Sequence, residues 1–174
     1  MAFRWLRLLI ATVACVATPA SAEILRFKAG LSGSEAPTAT GSTATGDAHV
    51  RIDTDRKLVS VKMAISGLTI DDLWDNLVKA PIGPIHFHQY GSHNHSGDDV
   101  VLVLPVPFGP AYRANGTGFT VAMKDYDYAA GAKLLGSDAT LDAFVAALKA
   151  GHIILNVHTD RFHDGEISGT VEAE

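Results

Sequence analysis

The stretch HIILNVHTDRFHDGEISGTV, residues 152–171, decides the fold. Ile153, Leu155 and Val157 alternate with Ile154, Asn156 and His158. Ile167, Gly169 and Val171 then alternate with Glu166, Ser168 and Thr170. A period of two sends successive side chains to opposite faces of a strand. Between the two runs lies Asp164-Gly165, a pair suited to a turn. The segment therefore reads as an antiparallel hairpin with one apolar face.

The same alternation recurs upstream. Leu25, Phe27, Ala29 and Leu31 alternate with Arg26, Lys28 and Gly30. After the Gly/Ser/Thr/Pro loop 32–46, Ala48, Val50 and Ile52 alternate with His49, Arg51 and Asp53. Thr54-Asp55-Arg56 reads as a turn, and Val59, Val61, Met63 and Ile65 complete a second hairpin. Ile85 and Phe87 alternate with His86 and His88. VVLVLPV (100–106) is an apolar strand whose Pro105 marks a sheet edge or a strand end. Phe119, Val121 and Met123 stand at strand spacing within the less regular 107–137. Two helices are expected in the connections. One covers 70–80, with Leu73, Trp74, Leu77 and Val78 at helical spacing and Asp71 and Asp72 in its first turn. The other covers 140–151, capped by Ser137 or Asp138 and closed by Gly151. Trp74, Phe144 and Leu148 are expected in the core. About seven short strands with two-sided alternation give an all-β protein, an antiparallel β-sandwich or Greek-key barrel.

The N-terminus belongs to a different function. Arg4 and Arg7 precede an apolar run from Leu8 to Ala17, followed by Ala20-Ser21-Ala22. This is the pattern of a signal peptide over residues 1–22, cleaved near Ala22. A buried N-terminal helix is the plainer alternative, and Thr12-Val13-Ala14-Cys15 resembles a lipobox without its usual Leu. The domain is then 23–174, exported to the periplasm or the medium, with no transmembrane segment in the mature chain. Its single cysteine, Cys15, leaves with the signal, so neither a disulfide nor a thiolate ligand remains. Removing Arg4 and Arg7 from a chain of net charge −5 leaves −7. That balance argues against nucleic acid and anionic membranes as partners.

Four of the eight histidines fall between 86 and 95. His86 and His88, two apart on a strand, share a face about 7 Å apart. Opposite the core pair Ile85 and Phe87, they are expected on the outer face. His93, His95, Asp98 and Asp99 follow in a loop, and His158 and His163 form a second focus. The candidate metal ligands are His86, His88 and His158, assisted by His93, His95 or His163. Imidazoles without sulfur suit Cu(II) or Zn(II), with Ni(II) next and Ca(II) disfavoured. The plainer readings are a polar outer face and pH sensing by clustered imidazoles. His49 reads as a strand's polar face, His152 as a helix end. No nucleophile elbow, P-loop, dinucleotide fingerprint or zinc-protease helix is found, and no catalytic residue is assigned.

FKAGLSGSEAPTATGSTATGDAHVRID, VKMAISGLT, IHFH and LKAGHIILNVHTDRFHDGEISGTV closely resemble the CHRD (chordin-type) domain family. The matching elements are Leu31-Ser32-Gly33-Ser34-Glu35-Ala36-Pro37, Asn156-Val157-His158-Thr159 and Gly165-Glu166-Ile167-Ser168-Gly169. The resemblance implies a secreted β-sandwich-like module without a generally assigned activity. The His-rich 92–99 segment and the 70–80 helix depart from the family pattern. Locally, Gly67-Leu68-Thr69 with His86-Phe87-His88 resembles the copper strand of copper/zinc superoxide dismutases. The rest of that signature is missing: the disulfide cysteines, the zinc loop and the C-terminal arginine segment.

The leading expectation is an exported, non-enzymatic module that binds Cu or Zn, with an envelope or extracellular protein as a further partner. The alternatives are a copper redox enzyme of the dismutase type and an adhesion or protein-binding module that holds no metal. Convergence of the His86, His88 and His158 nitrogens separates the first two from the third.

Overall fold

The computed structural model describes residues 23–35, 39–92, 95 and 101–174. The expected signal segment 1–22, His93, Asp98 and Asp99 lie outside the described residues. Every long alternating run forms a strand. β1 spans Ile24–Ser32, β2 Thr45–Asp53 and β3 Leu58–Ser66. β4 is Ile85–Gln89, β5 Val101–Val106, β6 Tyr112–Asn115 and β7 Gly118–Asp127. β8 is Ile153–Val157, β9 Ile167–Thr170 and β10 Glu172–Ala173.

All ten strands join one antiparallel sheet, in the order β5-β4-β8-β9-β1-β2-β3-β7-β6, with β10 against β1. The sheet is continuous and curls into a half-barrel. Side chains from its two halves meet in a single core that includes Phe27, Val50, Val61, Phe87, Phe119, Phe144 and Ile167. Each fully buried aliphatic or aromatic side chain contributes roughly 1.5–3 kcal/mol to folding. β5 ends the path, as Pro105 requires of a strand that lacks a ladder donor. β9 approaches β1 closely because Gly169 has no side chain. A Cβ there would stand 2.0 Å from the Gly30 carbonyl oxygen.

The helices differ from the sequence reading. Residues 70–80 do not form one helix. A 3-10 turn covers Ile70–Asp72, and a short α1 covers Asp75–Lys79. Between them Leu73 leaves helical geometry to bridge Thr159, and Trp74 N–H donates to the His158 carbonyl at 3.1 Å. Tertiary pairing has taken two residues that helix periodicity would otherwise have kept. Trp74 is only half-buried and is not a core residue, unlike Phe144 and Leu148. There are also three α-helices among the described residues where two were expected. α2 (Tyr128–Leu134) follows β7 directly and packs on β5. α3 (Leu141–Lys149) is capped by Thr140, whose Oγ1 accepts from Ala143 N–H at 3.2 Å, so neither Ser137 nor Asp138 is the cap. No helix among the described residues is long and apolar enough to cross a membrane.

The two ends of the sheet are built differently. Along β1, β2 and β3 buried and more accessible residues alternate, so one face is open. β4 and β8 are buried on both faces. The histidines of β4 stand on the second of those covered faces.

Candidate metal centre

β4 pairs with β8 antiparallel, with Ile85 opposite Val157 and His86 opposite Asn156. His158, one residue beyond β8, is thereby fixed next to the start of β4, and its N–H donates to the Pro84 carbonyl at 2.9 Å. The register brings its imidazole against those of His86 and His88. His86 Nδ1 lies 3.2 Å from His158 Nε2, and His88 Nε2 lies 3.4 Å from the same atom. One nitrogen from each ring fits within a mutual span of 4.8 Å. A metal with bonds of about 2.0–2.1 Å in tetrahedral geometry holds its nitrogens about 3.3 Å apart. Two of the three separations match that edge as they stand.

The three histidines are not on an outer face, contrary to the expectation from alternation. His86 is 2 % exposed, His88 9 % and His158 6 %. Alternation gave the side of β4 correctly, because Ile85 and Phe87 do face the core, and Phe87 meets Phe144 edge-on at 5.8 Å. What alternation could not supply is the cover: the ring of His158, just beyond β8, packs against both His86 and His88.

Burial decides the protonation of the cluster. Desolvation, then the neighbouring His158, lowers His86 from its ordinary value to about 4. Desolvation, then His158 and His86, lowers His88 to about 3. His158 is also lowered by burial, against the opposing pull of the His163 carbonyl and the Asp164 charge. All three rings are therefore neutral at physiological pH, the form that binds metal.

The loop after β8 orients His158. Its Nδ1–H donates to the His163 carbonyl at 2.7 Å, which leaves the Nε2 lone pair directed at His86 and His88. A ligating imidazole that donates its other N–H to a carbonyl is held in one tautomer and one orientation. The loop is itself held at several points. Asn156 Nδ2 donates to the Asp164 carbonyl at 2.8 Å, and Asn156 Oδ1 accepts from Ser168 Oγ at 3.0 Å. Thr159 Oγ1 and Ser42 Oγ each donate to the buried Glu166 carboxylate at 2.7 Å. Gly165 has φ +113°, and a Cβ there would stand 1.8 Å from Asn156 Oδ1. The Asn-Val-His-Thr and Gly-Glu-Ile-Ser-Gly blocks thus build one device that aims His158. His86 Nε2 is buried with no hydrogen-bond acceptor or donor among the described residues.

Two other candidates stand apart from the cluster. The His163 ring stacks on Trp74, with centroids 4.1 Å apart and planes at 10°, and contributes its backbone carbonyl instead. His95 packs edge-on against Tyr90 at 5.4 Å and places Nε2 3.0 Å from the Gly151 carbonyl. Among the described residues, His86, His88 and His158 form the one group of three or more ligand-bearing side chains close enough to share a metal. Three neutral imidazoles could hold one metal ion and leave a further position for water or a ligand. The sequence reading missed the supporting residues Asn156, Thr159, Gly165, Glu166 and Ser42. Their signal was present in the motif blocks, but their contacts cross up to 124 positions of chain.

A model of the CHRD domain matches residues 27–171. No curated protein and no solved structure matches the chain. With a match over most of its length, from the first strand through the loop that aims His158, the chain belongs to the CHRD-domain family.

Proposed function

We propose that this protein is an exported CHRD module that binds one Cu or Zn ion through His86, His88 and His158. The carrying observation is the convergence of three buried, neutral imidazoles on one point, with N···N separations of 3.2 and 3.4 Å. Export is supported by the signal-like pattern of residues 1–22 and by the generally extracellular setting of CHRD domains. The domain proper is then 23–174.

A binding role is favoured over dismutase chemistry. The cavity beside the 158–166 loop is lined by Asp71, Asp72, Asp160 and Glu166, with Arg161 as its cation. None of the three histidines lines that cavity, but its acidic balance favours cations over the anion that a dismutase must steer. Calorimetric titration of Cu(II) and of Zn(II) into the metal-stripped protein tests the reading. Tight one-to-one binding that disappears in His86→Ala/His88→Ala is expected. Weak binding, equal in both proteins, would remove the metal from the account.

A further inference from the structure

The open face of the sheet carries a second feature. Arg26, His49, Arg51, Arg56, Lys62 and Lys124 line one groove of about 920 Å³ across β1, β2, β3 and β7. Register explains the convergence. Arg26 stands opposite Arg51, and in the next row Lys28, His49 and Lys62 stand side by side, followed by Ala122. Like charges directly opposite one another across strands are destabilising, so their placement calls for a counter-charge.

Acids share this face: Asp125 and Glu174 line the groove itself, and Glu172 of β10 stands opposite Lys28. Glu174 binds His49 Nδ1 at 2.6 Å, Asp53 lies 3.8 Å from Arg51, and Asp125 approaches Ser60 Oγ at 3.5 Å. Arg26, Lys28, Arg56, Lys62 and Lys124 have no ion-pair partner among the described residues. Five of the twelve Lys and Arg in residues 23–174 of this acidic chain therefore line one groove, against the two acids Asp125 and Glu174. A net negative charge conceals a local positive one.

The shape of the field selects the ligand. The cations extend over four strands, roughly 14 Å across at about 4.8 Å per strand spacing. A single small anion spans less than that. No Phe, Tyr or Trp lines the groove, so nucleobases and neutral sugar rings find no large stacking platform. The exposed large apolar side chains Val101 and Leu134 lie outside it, so a lipid surface gains no apolar contact there. All four strands are paired on both sides, so a peptide cannot add to the sheet through its backbone. Exposed Ala122 leaves a low floor on which a stiff chain can lie.

We propose that the groove across β1, β2, β3 and β7 binds a linear acidic polysaccharide through its carboxylate or sulfate groups. The inference is independent of the metal centre, which lies on β4 and beyond the end of β8.

The test is fluorescence anisotropy with a labelled heparin oligosaccharide, a linear sulfated and carboxylated probe, at low salt. Arg26→Ser/Lys62→Ser/Lys124→Ser is compared with Arg113→Ser/Lys133→Ser/Lys149→Ser. Both remove three exposed cations, so the net charge is the same. Thermal melts close to wild type establish that both variants are folded. The groove variant should bind at least tenfold more weakly, the other within about twofold, and the wild-type affinity should fall steeply with added salt. No binding by wild type, or equal loss in both variants, would overturn the proposal. Tighter groove-dependent binding to phosphatidylglycerol vesicles or to duplex DNA would overturn it as well and name the other occupant.

Discussion

β2 and β4 carry the same written pattern and put it to opposite uses. In β2, His49 alternates with the core residues Ala48 and Val50, and its side chain is 66 % exposed. In β4, His86 and His88 alternate with Ile85 and Phe87 in the same way, yet both are buried. The strands differ in what lies above them. The open face of β2 meets solvent, while β4 lies between α3 on its core side and the His158 loop on the other. Alternation specifies a side of the sheet; only tertiary structure specifies whether that side is covered. A covered histidine loses its charge, and three neutral imidazoles this close could hold a metal ion.

The contrast is broken most severely at its centre. His158→Ala removes the atom that lies within 3.4 Å of both other rings. Affinity for Cu(II) or Zn(II) should fall at least ~100-fold, beyond what loss of an outer hydrogen-bond partner brings about. Competition with a chromogenic chelator would measure it, and an affinity within a few-fold of wild type would place the metal elsewhere.

The loop that covers β4 is the next target. Gly165→Ala places a methyl group on Asn156 Oδ1 in a backbone conformation that L-residues rarely adopt. Stability should fall by about 1–3 kcal/mol or more. Metal affinity should fall by about 10–100-fold as His163 no longer holds His158. Urea unfolding together with the same chelator competition separates the two effects. Unchanged affinity in a destabilised protein would mean that the loop folds the domain without aiming the ligand.

Acid should act on the covered histidines through linkage. Their folded values, about 4 for His86 and about 3 for His88, lie below the ordinary value of 6.5. As pH falls, the unfolded chain takes up protons first. The stability associated with the neutral rings is therefore complete above about 6.5 and is lost progressively toward 4 and 3. The melting temperature of the metal-free protein should drop across that window, and less steeply in His86→Ala/His88→Ala. Equal slopes in the two proteins would assign the acid sensitivity to other groups. The smallest effect belongs to His49→Ala, on the open strand. Its exposed contact with Glu174 predicts a stability change within ~0.5 kcal/mol and unaltered metal binding.

Much of this fold was legible because sheet periodicity is a local property. The hairpin of β2 and β3 and the pairing of β8 with β9 follow the alternating runs residue by residue. The helices were less legible. α2 contains Gly131, which weakens any helical signal, and its reason is tertiary. A Cβ there would come within 2.7 Å of the Tyr126 ring and 3.0 Å of Leu104. The 70–80 segment has true helical spacing, but Leu73 and Trp74 are drawn into contacts with Thr159 and His158 more than eighty residues away. For the same reason the site was half visible. The shared side of His86 and His88 was written in β4, whereas the approach of His158 depends on β4 choosing β8 as its neighbour. The basic groove was hidden by arithmetic, since a net charge carries no information about which cations share a face.

The most direct test of the metal centre is X-ray absorption at the copper or zinc edge of the metal-loaded protein. The account predicts about three imidazole nitrogens at about 2.0 Å, with the multiple-scattering signature of histidine rings. In His158→Ala the nitrogen count should drop at any occupancy that remains. A shell made mainly of oxygen, or one unchanged by loss of His158, would contradict it.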